Sequence, residues 1–111
     1  MPFLTIRTNA DNNDNRLAED VAKLVADTLR KPIAYVVVTV CAELKMCFGG
    51  SADNKGALIE MKSVGFADKV GLARKLTEFV VNRLNVKAEF VNIEFVDMAA
   101  SDVAIAGNLL G

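Results

Sequence analysis

The second half of this 111-residue chain repeats the pattern of the first, without a gap, at a constant offset of 55 positions (Phe3 onto Leu58). Phe3-Leu4-Thr5-Ile6-Arg7-Thr8 falls on Leu58-Ile59-Glu60-Met61-Lys62-Ser63. Leu17, Ala18, Val21, Leu24, Val25 and Leu29 fall on Leu72, Ala73, Leu76, Phe79, Val80 and Leu84, and Tyr35, Val36, Val38 and Val40 on Phe90, Val91, Ile93 and Phe95. Self-similarity at a fixed period marks one supersecondary unit used twice. Each half reads as strand, helix, strand. The expected fold is therefore α/β (α+β): a tandem β-α-β pseudo-repeat forming a four-stranded mixed sheet with two helices on one face. One domain over residues 1–111 is expected, with pseudo-repeats at about 1–48 and 56–98 and a tail at 99–111.

Leu17, Val21, Leu24, Val25 and Leu29 make one apolar stripe at helical spacing. The cluster Asp11-Asn12-Asn13-Asp14-Asn15 before it supplies side chains that can cap the free amides of the first turn. The cluster also resembles the start of a calcium loop. Arg16 stands where that loop needs glycine, and Ala22 where it needs a bidentate glutamate, so capping is the expected role. Lys31-Pro32 stops the first helix, because proline disfavours helical geometry at the residue before it. Gly65 and Gly71 are expected to bracket a short loop before the second helix, and Gly49-Gly50 to break the chain between the halves.

From Tyr35 to Cys41 one side carries Val36, Val38 and Val40, while the other carries Tyr35, Val37, Thr39 and Cys41 and is also largely apolar. Two helices cover one face of such a sheet, and the chain has no spare element for the other. Burial between copies of the chain is the economical solution, and a 52% hydrophobic content suits it. The tail is expected to add an edge strand to a neighbour. A net charge of −1 gives no electrostatic reason to expect nucleic acid or an anionic membrane as partner. The longest apolar run, Ile33 to Ala42, is too short to span a bilayer. No basic flank with a long apolar stretch opens the chain, so a cytoplasmic location is expected, with any secretion proceeding without a signal peptide. Cys41 and Cys47 make no disulfide framework; Cys41 reads as core and Cys47 as a loop or partly buried thiol.

Three local motifs, in order, carry a resemblance that runs from end to end. Met1-Pro2-Phe3 with Thr8-Asn9 resembles the opening strand of the macrophage migration inhibitory factor (MIF) and D-dopachrome tautomerase family. Lys31-Pro32 with Tyr35 resembles the family's motif after the first helix. Met46-Cys47-Phe48-Gly49-Gly50-Ser51 and Ser63-Val64-Gly65 resemble its central loop and third strand, and Asp97-Met98, Ala100 and Val103 its tail. The resemblance implies a homotrimer with active sites between adjacent subunits, no cofactor and no metal. It implies Pro2 as the catalytic group, with Met1 removed to leave a free secondary amine. Such an α-amino group titrates near pKa ~8, and burial lowers this by disfavouring the ammonium. A neutral amine near pH 7 is a competent base for a proton alpha to a carbonyl, as in enol–keto interconversion of phenylpyruvate or dopachrome-type compounds. Lys31 would pair with the carboxylate or enolate oxygen of a small α-keto acid, and Ser63 and Val64 would line the site. A cytokine-like role toward a cell-surface receptor is implied as well.

The pocket departs from the family in four places. Asn92 stands where MIF has a tyrosine, Ile105 and Leu110 where it has a tail tryptophan and phenylalanine, and Glu94 where it has an asparagine. These changes make the wall more aliphatic and add an acid, which predicts weak turnover of aromatic substrates. The Cys-x-x-Cys of vertebrate members is absent, with Gly56 and Ile59 in its place, so no dithiol redox activity is expected. Two other readings are a non-catalytic trimeric signalling or binding protein with a decayed pocket, and an unrelated ferredoxin-like module binding a small metabolite.

Overall fold

The computed structural model describes residues 1–111. In chain order it contains β1 (Phe3–Thr8), α1 (Leu17–Leu29), β2 (Val37–Cys41), β3 (Ala57–Ser63), α2 (Lys69–Leu84) and β4 (Val91–Asp97), then a tail hairpin of β5 (Ala104–Ile105) and β6 (Asn108–Leu109). The main sheet has the order β2-β1-β3-β4. The β1/β2 and β3/β4 pairs are parallel, and β1 and β3 meet antiparallel at the centre, from Phe3 opposite Lys62 to Thr8 opposite Ala57.

The halves agree in detail. Both helices end on residues one offset apart, and both are closed by a left-handed residue, Arg30 (φ 56°) and Asn85 (φ 55°). Each is followed by a short 3-10 turn, Ile33–Tyr35 and Ala88–Phe90, which feeds the parallel strand. One face of the sheet and the inner stripes of both helices make the core. Leu4, Ile6, Ile59 and Met61 from the sheet meet Leu17, Val21, Val25, Leu72, Leu76 and Val80 from the helices, all fully buried. Burying one such side chain contributes about 1.5–3 kcal/mol.

Four expectations need correction. Asp14 does not cap α1 itself; its carboxylate accepts from the Arg16 amide one residue before the helix, and the N-cap position is Arg16 with no side-chain bond. Gly71 lies inside the first turn of α2 rather than in a loop. Asp68 caps that turn by accepting from the Gly71 amide at 2.9 Å, and a Cβ at Gly71 would sit 2.2 Å from the same carboxylate. Tyr35 belongs to the 3-10 turn and not to β2. The uncovered sheet face is apolar only in part. Phe3 and Val37 lie side by side on it, but Arg7, Glu60, Lys62 and Glu94 share it, with Glu60 directly beside Glu94. Lys62 pairs with Glu60 at 3.2 Å. The reason is strand-specific: β2 alternates apolar residues with Thr39, whereas β3 and β4 carry their charges on that same face.

Candidate active site

The residues singled out in the sequence separate into two groups. Pro2, Lys31, Ser63 and Val64 come together at one end of the sheet. Pro2 immediately precedes the Phe3–Lys62 pair, so the antiparallel register sets it opposite Ser63. Its side chain is fully buried, and its carbonyl accepts from the Val37 amide at 3.0 Å. The left-handed turn at Arg30 delivers Lys31 to the same end, where its Nζ donates to the Val64 carbonyl at 2.6 Å.

Two features of this end are chemically uncommon. The Ser63 hydroxyl is fully buried without a hydrogen-bond partner, although buried polar groups nearly always have one. The Met1 amine has its pKa lowered, mainly by burial and further by the positive charge of Lys31. An amine at this place is thus held toward its neutral, basic form.

The second group lies elsewhere. Asn92 and Glu94 are exposed on β4, on the uncovered face, whereas Ser63 and Asp97, next to each other in register, share the helix-facing parity with Pro2. Counting back from Asp97, Glu94 is about 10 Å and Asn92 about 17 Å along the strand at ~3.3 Å per residue. Glu94 neighbours Glu60 and not Lys31, which is held by Val64. Ile105 and Leu110 sit in the exposed tail hairpin, 38% and 41% accessible. One copy of the chain does not bring Asn92 and Glu94 to its own Pro2.

Asp97 is a residue whose part the sequence did not reveal. Its carboxylate accepts from the Gly65 amide at 2.9 Å, next to the turn that carries Val64. The signal was faint: a glycine just past a strand end and an acid at the end of another, linked only once the β3/β4 register is known. The two surface grooves of the molecule, about 570 and 230 Å³, lie at the other end of the sheet around Lys55 and include none of the residues above.

Comparison with known proteins identifies the family. The sequence profile described as Macrophage migration inhibitory factor (MIF) matches residues 1–111. A macrophage migration inhibitory factor homolog of Brugia malayi is 35% identical over 116 residues, covering 100% of both chains. The solved macrophage migration inhibitory factor of Trichinella spiralis superposes with a TM-score of 0.89 at 25% identity, over 96% of this chain and 98% of that one. That of Oncomelania hupensis gives 0.93 at 21% identity, over 100% and 83%, a likeness of fold. With the profile matched from residue 1 to residue 111 and a relative 35% identical over the full length of both chains, this chain belongs to the macrophage migration inhibitory factor family.

Proposed function

We propose that this chain, once Met1 is removed, is a keto–enol tautomerase with Pro2 as its general base, acting on small α-keto acids of the phenylpyruvate type. The observation that carries the reading is the lowered pKa of the terminal amine where it meets buried Pro2 and Lys31. Removing Met1 moves the free amine to Pro2 nitrogen, one residue deeper, where desolvation of an ammonium is stronger. The neutral amine takes a proton from the carbon alpha to the carbonyl, and the electrons left behind form the enolate. The Lys31 ammonium stabilises the enolate oxygen, and transfer of the same proton from the Pro2 ammonium to that oxygen completes the enol and restores the neutral amine. While Met1 remains, Pro2 nitrogen is an amide and has no basic lone pair.

A homotrimer with sites between copies supports this chemistry, because Asn92 and Glu94 face away from Pro2 of their own copy, and Ile105 and Leu110 are exposed to meet a second one. The exposed apolar side chains of Val37, Leu109 and Leu110 favour such assembly. Light scattering should give about three times the 11.9 kDa chain mass; a stable monomer would sink the shared site.

The second reading is a trimeric signalling or binding protein that addresses a cell-surface receptor without catalysis. It is favoured by the loss of pocket aromatics at Asn92, Ile105 and Leu110. Mass spectrometry of the N-terminus, paired with phenylpyruvate and hydroxyphenylpyruvate assays, separates the two. Turnover confined to the Met1-free form supports the tautomerase; a Met1-free protein with no turnover leaves the binding role.

A further inference from the structure

We infer that Asp97 is a positioning residue that fixes where the Lys31 ammonium is presented. The inference rests on the proposed site at Pro2, but its geometry is independent of the reaction. Ser63, Val64 and Gly65 leave β3 through a turn in which Gly65 takes φ +80°, a conformation that side chains rarely adopt and that nothing in its own backbone enforces. Two bonds from the end of β4 hold that turn. The Met98 amide donates to the Ser63 carbonyl at 2.8 Å, and the Asp97 carboxylate accepts from the Gly65 amide at 2.9 Å. They clamp the turn on both sides of Val64. The Val64 carbonyl between them is the acceptor for Lys31 Nζ at 2.6 Å.

A lysine side chain has four rotatable bonds and considerable rotamer entropy, so its ammonium stays in place only against a fixed acceptor. Asp97 supplies that fixity without touching Lys31 in the hydrogen-bond network. Of the three ammonium donors, one is directed at Val64 and the others remain for an anion. The matching turn in the first half is held by backbone alone, the Leu44 amide donating to the Thr8 carbonyl and the Glu43 amide to the Ala10 carbonyl, and Ala42, one offset before Asp97, has no carboxylate to offer. The Asp97 clamp therefore belongs to the end of the sheet that carries Pro2 and Lys31.

The test compares Asp97→Ala with Asp97→Asn in the Met1-free protein. The asparagine keeps an oxygen that accepts from the Gly65 amide, while alanine does not. Hydrogen exchange at the Gly65 amide and NMR relaxation of the Lys31 side chain are read first, because neither needs turnover. Alanine should speed exchange at Gly65 and mobilise the Lys31 ammonium, and asparagine should restore both. In the phenylpyruvate assay alanine should raise KM about fivefold with kcat little changed, as expected for a weakened anion anchor. A Lys31 side chain that stays ordered in Asp97→Ala overturns the inference, as does an asparagine variant that behaves like alanine. A wild-type protein without turnover overturns the tautomerase reading alone, and the Lys31 relaxation still decides for or against Asp97.

Discussion

The two ends of the central sheet are built from equivalent residues and finished in opposite ways. At one end Pro2 faces Ser63; at the other, one offset along, Ala57 faces Thr8. The Thr8 hydroxyl donates to the Gly56 carbonyl at 2.6 Å and accepts from the Ala10 amide at 3.0 Å. Its counterpart, Ser63, leaves its hydroxyl unpartnered. Asn9 uses its side chain to bond Met46, Asn54 and Gly56, while its counterpart Val64 offers only backbone. Lys31 answers to Val86, which is buried and inert. One end is sealed by its own side chains, and the other keeps an unsatisfied hydroxyl, a cation and a lowered amine pKa. Pseudo-symmetry thus supplies an internal control: the same backbone, with and without the groups that the proposed chemistry requires.

The largest effect expected of this asymmetry is on rate. Pro2→Gly in the Met1-free protein should lower phenylpyruvate turnover about 100-fold or more, the usual share of a general base, with the trimer mass retained in light scattering. Unchanged turnover would place any activity outside the Pro2 end. The next effect is on stability, and it should differ in size between ends. Thr8→Val preserves shape but strips partners from buried Gly56 and Ala10 groups, costing about 2 kcal/mol in urea unfolding. Ser63→Ala removes a hydroxyl with no partner and should cost under about 0.5 kcal/mol. Equal costs would mean that the two hydroxyls differ less than their hydrogen bonds suggest.

The smallest effect concerns the loop that leads into α1 in the first half and is tied to α2 in the second. Arg83 Nε donates to Asp14 at 2.6 Å, and Nη1 to Asp20 at 2.9 Å. The Arg83 hydrogen bond, then the backbone bond from Arg16, hold the Asp14 pKa below its ordinary 3.8. A lowered folded-state pKa means that the contribution is present above the unfolded value and fades as pH falls through the folded one. Asp14→Asn should therefore leave a slightly shallower loss of stability below pH 3.8, with only a small change near neutrality because solvent reaches and screens these half-buried groups. An unaltered acid limb in denaturant titrations would show the pairing to be idle.

The fold was legible because the offset survives along the strands and the helix stripes: Leu17 with Leu72, Ile6 with Met61, Val38 with Ile93. What resisted reading were features set by neighbours rather than by period. Arg16 takes the N-cap position of α1 with no sequence cue, since Asp14 is engaged by Arg83 far along the chain. The charges of the uncovered face became visible as a group only when register brought Glu60 beside Glu94. At the candidate site, Pro2, Lys31, Ser63 and Val64 stood out through family motifs, because no local pattern links residues so distant in sequence. Asp97 was seen only as a motif letter, since its bond to Gly65 exists only in the folded sheet.

The antiparallel joint between β1 and β3 has a consequence for dividing the chain. Cut at Gly49-Gly50, each half would retain a parallel pair of strands and one helix, and each would expose a bare edge, β1 in one and β3 in the other. Such an edge is a row of unpaired amides and carbonyls that recruits any strand it meets. A two-stranded fragment of this size also buries too little to stand alone. The halves are therefore complements and not modules: separated, they would aggregate rather than persist as two small folded proteins.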